Sequence, residues 1–324
     1  MRNFPRFVSK QIGRVLPEQK LFNTNAPPFL PFYHTVSNKN LPYILNYPFK
    51  NSTQFEKELD YYLKYFNPVS LDYLAENPKP NNNVFHLSFD DGLRECEKLI
   101  APVLLKKGIP ATFFVNSGFA NNRSLFHRYK ASLILSELKS NPNSDVELLL
   151  KKGGLNQENI LQANISRVEI LNNAAELLKI NFSEFLQNEK PYLTSDQIDK
   201  LKKQGFSIGA HSENHPEFWS ISEEDQYNEV KQSMDWVVQN FNPQIKTFAF
   251  PFTDSGVSLK LLQKLQSENI CDLTFGTAGL KYDECKNHFQ RYPAEQAGNF
   301  KLNLKSEFVY FKLRHIIGKS TVKH

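Results

Sequence analysis

Short β-branched or aromatic runs alternate with amphipathic stretches over residues 29–293, the pattern expected when parallel strands are joined by helical crossovers. Residues 29–36 read as a first strand. Thr53-Gln54-Phe55-Glu56 offers a capping box for a helix whose Phe55, Leu59, Tyr62, Leu63 and Phe66 form one stripe. A buried strand over 84–90 follows, then a helix over 94–107 stopped by Gly108, then a strand over 111–116. The alternation resumes with a helix over 196–204 and a strand over 206–210. Ser222-Glu223-Glu224-Asp225 caps a helix carrying Tyr227, Val230, Met234 and Val237, and residues 246–252, 272–277 and 289–292 supply the last strands. Residues 122–190 break this rhythm. They are mostly helical in pattern with Asn-rich joints, and read as an insertion. No fixed-period repeat occurs, which excludes solenoids and propellers.

Composition narrows the class. Among 324 residues, 40% are hydrophobic, with 27 Phe and 13 Tyr, enough for a sizeable core and incompatible with general disorder. No run approaches the ~18 apolar residues of a membrane span, and the basic N-terminal segment lacks the apolar stretch of a secretory signal, so a cytoplasmic protein is expected. Cys96, Cys271 and Cys285 are too few and scattered for a disulfide framework.

The net charge of +5 is uneven. Arg2, Arg6, Lys10, Arg14 and Lys20 face only Glu18 in residues 1–20, and Lys301, Lys305, Lys312, Arg314, Lys319 and Lys323 face only Glu307 in 301–324, which leaves an acidic body. Residues 1–24 thus read as a basic arm, 25–300 as the body and 301–324 as a basic helix or tail. The ends carry few aromatic–basic interleavings of the stacking type and the body is acidic, so no nucleic-acid partner is expected. Phe4, Phe7, Val8, Ile12 and Val15 at one end, with Leu304, Phe308, Phe311 and Ile316 at the other, could make peripheral contact with an anionic membrane. Their alternative use is to pack on the body with the lysines in water.

Two constellations fall just past predicted strands, where a barrel places its active site. Ser88-Phe89-Asp90-Asp91-Gly92 sets adjacent carboxylates at the end of an apolar strand, costly to bury unless a cation or proton accompanies them. Taken alone, Asp-Asp-Gly also starts turns and caps helices. His211-Ser212-Glu213-Asn214-His215 offers two imidazoles four residues apart, able to reach one metal. Together, one carboxylate and two histidines make a three-ligand site with an open position for a catalytic divalent ion, Zn²⁺ first among them, and a second carboxylate stands beside it. Spacing leaves open which aspartate plays which part.

These residues resemble the first two motifs of the NodB-homology polysaccharide deacetylases, carbohydrate esterase family four. Tyr33-His34-Thr35-Val36 is similar to the start of the subgroup that includes the poly-N-acetylglucosamine deacetylases, and Phe248-Ala249-Phe250-Pro251-Phe252 resembles the third motif. Residues 273–277 and Arg291-Tyr292-Pro293 resemble the closing strands. The resemblance implies an irregular (β/α)7, TIM-like barrel acting on an acetylated glycan, with Asp91, His211 and His215 on the metal and Asp90 as general base. It also implies an oxyanion donor at the Phe252 amide, following Pro251.

Two departures stand out. The arginine that often holds the base aspartate is replaced by Ala249, which makes Arg291 the candidate substitute, and a late Leu-x-His is missing, which leaves His34 as the candidate general acid. Trp219, just after His215-Pro216, is a candidate stacking wall for a sugar ring. Expectations are therefore a metal-dependent hydrolase removing acetyl groups from N-acetylated amino sugars, with an O-acetyl esterase or an inactive sugar-binding protein on the same fold as rivals.

Overall fold

The computed structural model describes residues 4–23, 25–77, 80 and 83–324. Eight short segments, all paired in parallel, form one sheet. In chain order they are β1 (Pro31–Tyr33), β2 (Leu87–Phe89), β3 (Ala111–Val115), β4 (Ser207–Ala210), β5 (Thr247–Ala249), β6 (Leu273–Gly276), β7 (His288–Gln290) and β8 (Tyr292–Pro293). The spatial order is β7-β6-β5-β4-β3-β2-β1-β8. Only Arg291 separates β7 from β8, so residues 288–293 act as a single strand that pairs β6 on one side and β1 on the other. The Arg291 amide donates to the Gly276 carbonyl and the Tyr292 amide to that of Leu30, which closes the ring. Counted this way the barrel has seven strands, the (β/α)7 arrangement expected from the sequence.

Barrel strands are buried on both faces, which is why they read as near-continuous apolar runs. Phe89 and Phe113 stack at 5.2 Å, and Phe85, Phe29 and Tyr62 pack beneath the N-terminal crossover. The helix Ser52–Tyr65 buries Phe55, Leu59 and Tyr62 as its stripe predicts, but its capping box is Asn51 with Gln54, two residues ahead of the expected Thr53. Asn51 accepts from the Gln54 amide and its own amide donates to Gln54 Oε1, a pairing worth about 1 kcal/mol.

The expected strand over 84–90 divides at His86, whose ring bonds the Val69 carbonyl and Thr112 Oγ1. The helix after it opens as a π-turn over Cys96–Ile100 and becomes α-helical over Ala101–Lys107. Pro102, with no N–H to give, lies just past that change of pitch.

Between β3 and β4 the chain makes the helices His127–Ser140, Ser144–Lys152, Val168–Leu177 and Phe182–Glu189, and then the helix Ser195–Lys203 that leads into β4. Ile134, Leu138, Val146, Leu150, Ile160 and Leu171 give the first four a core of their own, while Phe126, Tyr129 and Leu186 join a separate cluster with Leu93 and Tyr192.

The helix Phe4–Val15 packs along the helix Phe300–Ile316, with Gly13 close enough that a Cβ would lie 3.2 Å from the Ser306 amide nitrogen. Arg6 pairs with buried Glu307 and covers the Tyr310 ring. Leu304, Phe308 and Phe311 are buried in the main core, with Phe308 against Phe22, Phe29 and Phe66, so they are not free to enter a lipid surface. Phe7, Val15 and Ile316 remain exposed, Val8 and Ile12 are half-buried, and the Phe4 side chain and Arg2 lie outside the described residues. Among the described residues no helix is long and apolar enough to cross a membrane.

Candidate active site

Every candidate residue from the two motifs lies just beyond a strand terminus. Asp90 and Asp91 follow β2, His211 opens the loop after β4, and His34 follows β1. The turns that aim them are strained: Asp91, Ser212, His215 and Phe252 all have positive φ, between 54° and 71°. Side-chain-bearing residues enter this region at a cost of about 1–3 kcal/mol each, and such costs concentrate where function requires them.

Spacing left the two aspartates interchangeable, and the fold separates them. Arg291 grips Asp90 through both carboxylate oxygens, at 2.7 Å from Nη1 and 2.9 Å from Nη2. Its guanidinium also donates to Ser88 Oγ and the Gly276 carbonyl and lies over the Phe32 ring at 4.4 Å. Burial would raise the Asp90 pKa, but Arg291 and then His211 outweigh it and hold the carboxyl below its ordinary value. Asp90 is therefore an anion at neutral pH, fixed in orientation.

Asp91 is used differently. Its Oδ1 lies 3.2 Å from His215 Nε2 and 3.6 Å from His211 Nε2, yet it is buried and accepts no hydrogen bond. His211 Nδ1 lies 2.7 Å from the Ala249 carbonyl, which makes that nitrogen the N–H and leaves the Nε2 lone pair facing Asp91. Burial lowers His211 to about 4, so it is neutral and ligand-ready at pH 7. The bare Asp91 oxygen and the Nε2 atoms of His211 and His215 converge as a donor set that fits a divalent cation, one of two such groups among the described residues.

Residues that linear reading missed complete the site. The Tyr129 hydroxyl, from the helices between β3 and β4, donates to Asp91 Oδ2 at 3.0 Å and lies 2.6 Å from the Tyr47 hydroxyl, which must then donate to it. Such outer partners typically change metal affinity 10–100-fold. A Tyr129→Phe protein should therefore bind added Zn²⁺ about 10-fold more weakly than the wild type, measured by competition with a chromophoric chelator. Unchanged affinity would show that the hydroxyl does not tune Asp91.

His34 Nδ1 lies 2.6 Å from Glu295 Oε2, and the Thr35 amide donates to Glu295 Oε1. Burial opposes charge on the imidazole, but Glu295, with Asp91 and Asp90 beyond it, lifts its pKa to about 9. The ring stacks on Tyr47 at 4.3 Å. No sequence signal linked His34 to Glu295.

A cavity of about 220 Å³ joins these groups, lined among others by His34, Asp90, Asp91, Arg128, His215 and Phe252. Among the described residues the Phe252 amide has no acceptor, while its carbonyl takes the Thr277 hydroxyl. Its ring meets His215 edge-on at 4.5 Å and lies under the Arg128 guanidinium at 4.0 Å. Pro251, whose carbonyl accepts the Thr253 amide, sets the turn. Trp219 is half exposed, 5.9 Å from the Phe252 ring.

A polysaccharide deacetylase family model matches residues 77–269. The chain belongs to this family. No curated protein matches it. Among solved structures it is similar to the Streptococcus pyogenes deacetylase PplD (TM-score 0.55, 15% identity, 88% of this chain and 99% of that one). IcaB from Ammonifex degensii superposes with a TM-score of 0.53 at 14% identity, over 88% of this chain and 97% of that one. A de-N-acetylase from Aggregatibacter actinomycetemcomitans gives 0.52 at 13% identity, over 86% and 98%. At these identities the likeness speaks for the fold. Family membership rests on the sequence match, whose span includes both motifs.

Proposed function

We propose that this polysaccharide deacetylase removes acetyl groups from N-acetylated amino sugars of a glycan, using a divalent cation held by Asp91, His211 and His215. The observation that carries the reading is the division of labour between adjacent carboxylates: Asp91 keeps a bare oxygen among two imidazoles, while Asp90 is held ionised by Arg291.

Bound there, a divalent ion supplies Lewis acidity and makes water nucleophilic near neutral pH. Asp90 then accepts the proton of the attacking water as general base. The free Phe252 amide donates to the oxyanion that develops on the acetyl carbonyl. His34, kept cationic by Glu295, gives a proton to the departing amine.

The cavity supports an acetamido substrate. At about 220 Å³ it is smaller than the usual pocket for a whole small ligand, so it takes the acetylated end of one sugar while the rest of a glycan extends outside it, toward the half-exposed Trp219. Asn46 lines the cavity with a buried, unbonded Oδ1, a ready acceptor for the N–H of an acetamido group that an acetyl ester lacks.

The test is acetate release from an N-acetylated hexosamine oligomer and from an O-acetylated glycan, with and without chelator. Release from the amide that stops on chelation and returns with Zn²⁺ is the expected result. Faster release from the ester would reassign the substrate, and no release from either would favour a sugar-binding role.

A further inference from the structure

A second set of metal-type donors gathers away from the Asp91 centre. Asp254, two residues beyond Phe252, places Oδ2 at 3.1 Å from His288 Nε2 and 4.0 Å from His324 Nε2. Asp283 places Oδ2 at 3.1 Å from His324 Nε2 and 3.9 Å from His288 Nε2. All four side chains are 4% exposed or less, and the four donor atoms lie within 4.8 Å of one another. Among the described residues no lysine or arginine pairs with either carboxylate.

The outer atoms of both imidazoles are engaged. His288 Nδ1 meets Thr274 Oγ1 at 2.8 Å, and His324 Nδ1 meets the Val257 carbonyl at 3.1 Å, which requires the proton on that nitrogen and leaves Nε2 to face the carboxylates. Four-coordinate zinc with N and O ligands at ~2.1 Å has ligand–ligand edges of about 3.4 Å, inside the 3.1–4.0 Å spread seen here. The Gln290 amide, anchored by the Ala278 N–H on its oxygen, now donates to both carboxylates, at 2.5 Å and 2.9 Å. Its nitrogen also lies 3.2 Å from His288 Nε2, so it is a neutral stand-in whose three contacts a cation would replace.

We infer that Asp254, Asp283, His288 and His324 form a second divalent-cation site, of the closed four-ligand kind that holds structural zinc. A groove of about 580 Å³, to which Asp254 and His324 contribute, gives an ion a way in. The site would tie two distant segments to the oxyanion loop. Thr321–Val322 pairs with Tyr282–Asp283, Asp254 reaches the Thr277 amide at 3.4 Å, and the Thr277 hydroxyl holds the Phe252 carbonyl. An ion here would steady the turn that presents the Phe252 amide without touching substrate.

The inference does not rest on the deacetylase reading, and metal counting tests it without an activity assay. The full chain, stripped with chelator and dialysed against Zn²⁺, should retain two ions. His324→Gln and His215→Gln should each retain one, and the double variant none. Zinc should raise the Tm of His215→Gln but not that of the double variant. Asp283→Asn, which keeps the side-chain shape, should repeat the His324→Gln result if that variant folds poorly. A zinc count that neither His324→Gln nor Asp283→Asn lowers overturns the inference, whereas a wild-type count of one that these variants abolish and His215→Gln leaves intact would empty only the Asp91 centre.

Discussion

An Asp90→Asn protein should lose about 10³-fold in kcat, near 4 kcal/mol of transition-state stabilisation, while its divalent ion stays bound. Asparagine keeps the shape and one acceptor oxygen but cannot take a proton from water. It also turns an amide NH₂ toward the Arg291 guanidinium, where a carboxylate oxygen accepted at 2.9 Å. Some loss of stability should therefore accompany the loss of turnover, because a buried cation is left half-paired. Metal stoichiometry and kcat on the same folded sample separate the roles of the two aspartates. Loss of the ion together with activity would make Asp90 a ligand, and unchanged acetate release would place the base elsewhere.

The parts of this site that were legible in the sequence are those built from contiguous residues. Asp90-Asp91 and His211 to His215 each sit directly after an apolar strand, so strand identity and side-chain chemistry could be read together. The alternation of strands and helices was equally visible, since a strand buried on both faces has little choice of residue type. What escaped was everything that barrel closure brings together. Arg291 and Asp90 are 201 positions apart, His34 and Glu295 261 positions, and neither pair shares an element or a period. Arg291 was a candidate only because Ala249 left its expected place empty. Tyr129 lay within the stretch between β3 and β4 read only as helical, where a buried tyrosine resembles any other core aromatic until its hydroxyl meets Asp91. The cap of the helix Ser52–Tyr65 was misplaced for a local reason: Asn51 and Thr53 are both competent caps, and only the geometry of the entering chain selects between them.

Arg291→Met should be the most damaging single change to stability, by about 3–5 kcal/mol at pH 7, because it leaves the Asp90 carboxylate buried without its partner. Methionine is apolar and similar in length, so a simple packing defect would cost a similar amount at every pH. The ionic explanation predicts otherwise. In the wild-type protein the Asp90 pKa is depressed on folding, so its charge contributes stability above about pH 4 that fades as pH falls through the folded value. With Arg291 gone, burial acts on Asp90 without its main opponent and pushes the pKa above the ordinary value. The charged form then costs stability at neutral pH, and protonation relieves that cost as pH falls through the raised value toward about pH 4. The stability gap between the two proteins should accordingly be widest near pH 7 and shrink as pH falls, measured by urea unfolding of chelator-treated samples. A gap that does not change with pH would mean that Arg291 matters for its packing on Phe32 and Phe114, and not for its grip on Asp90.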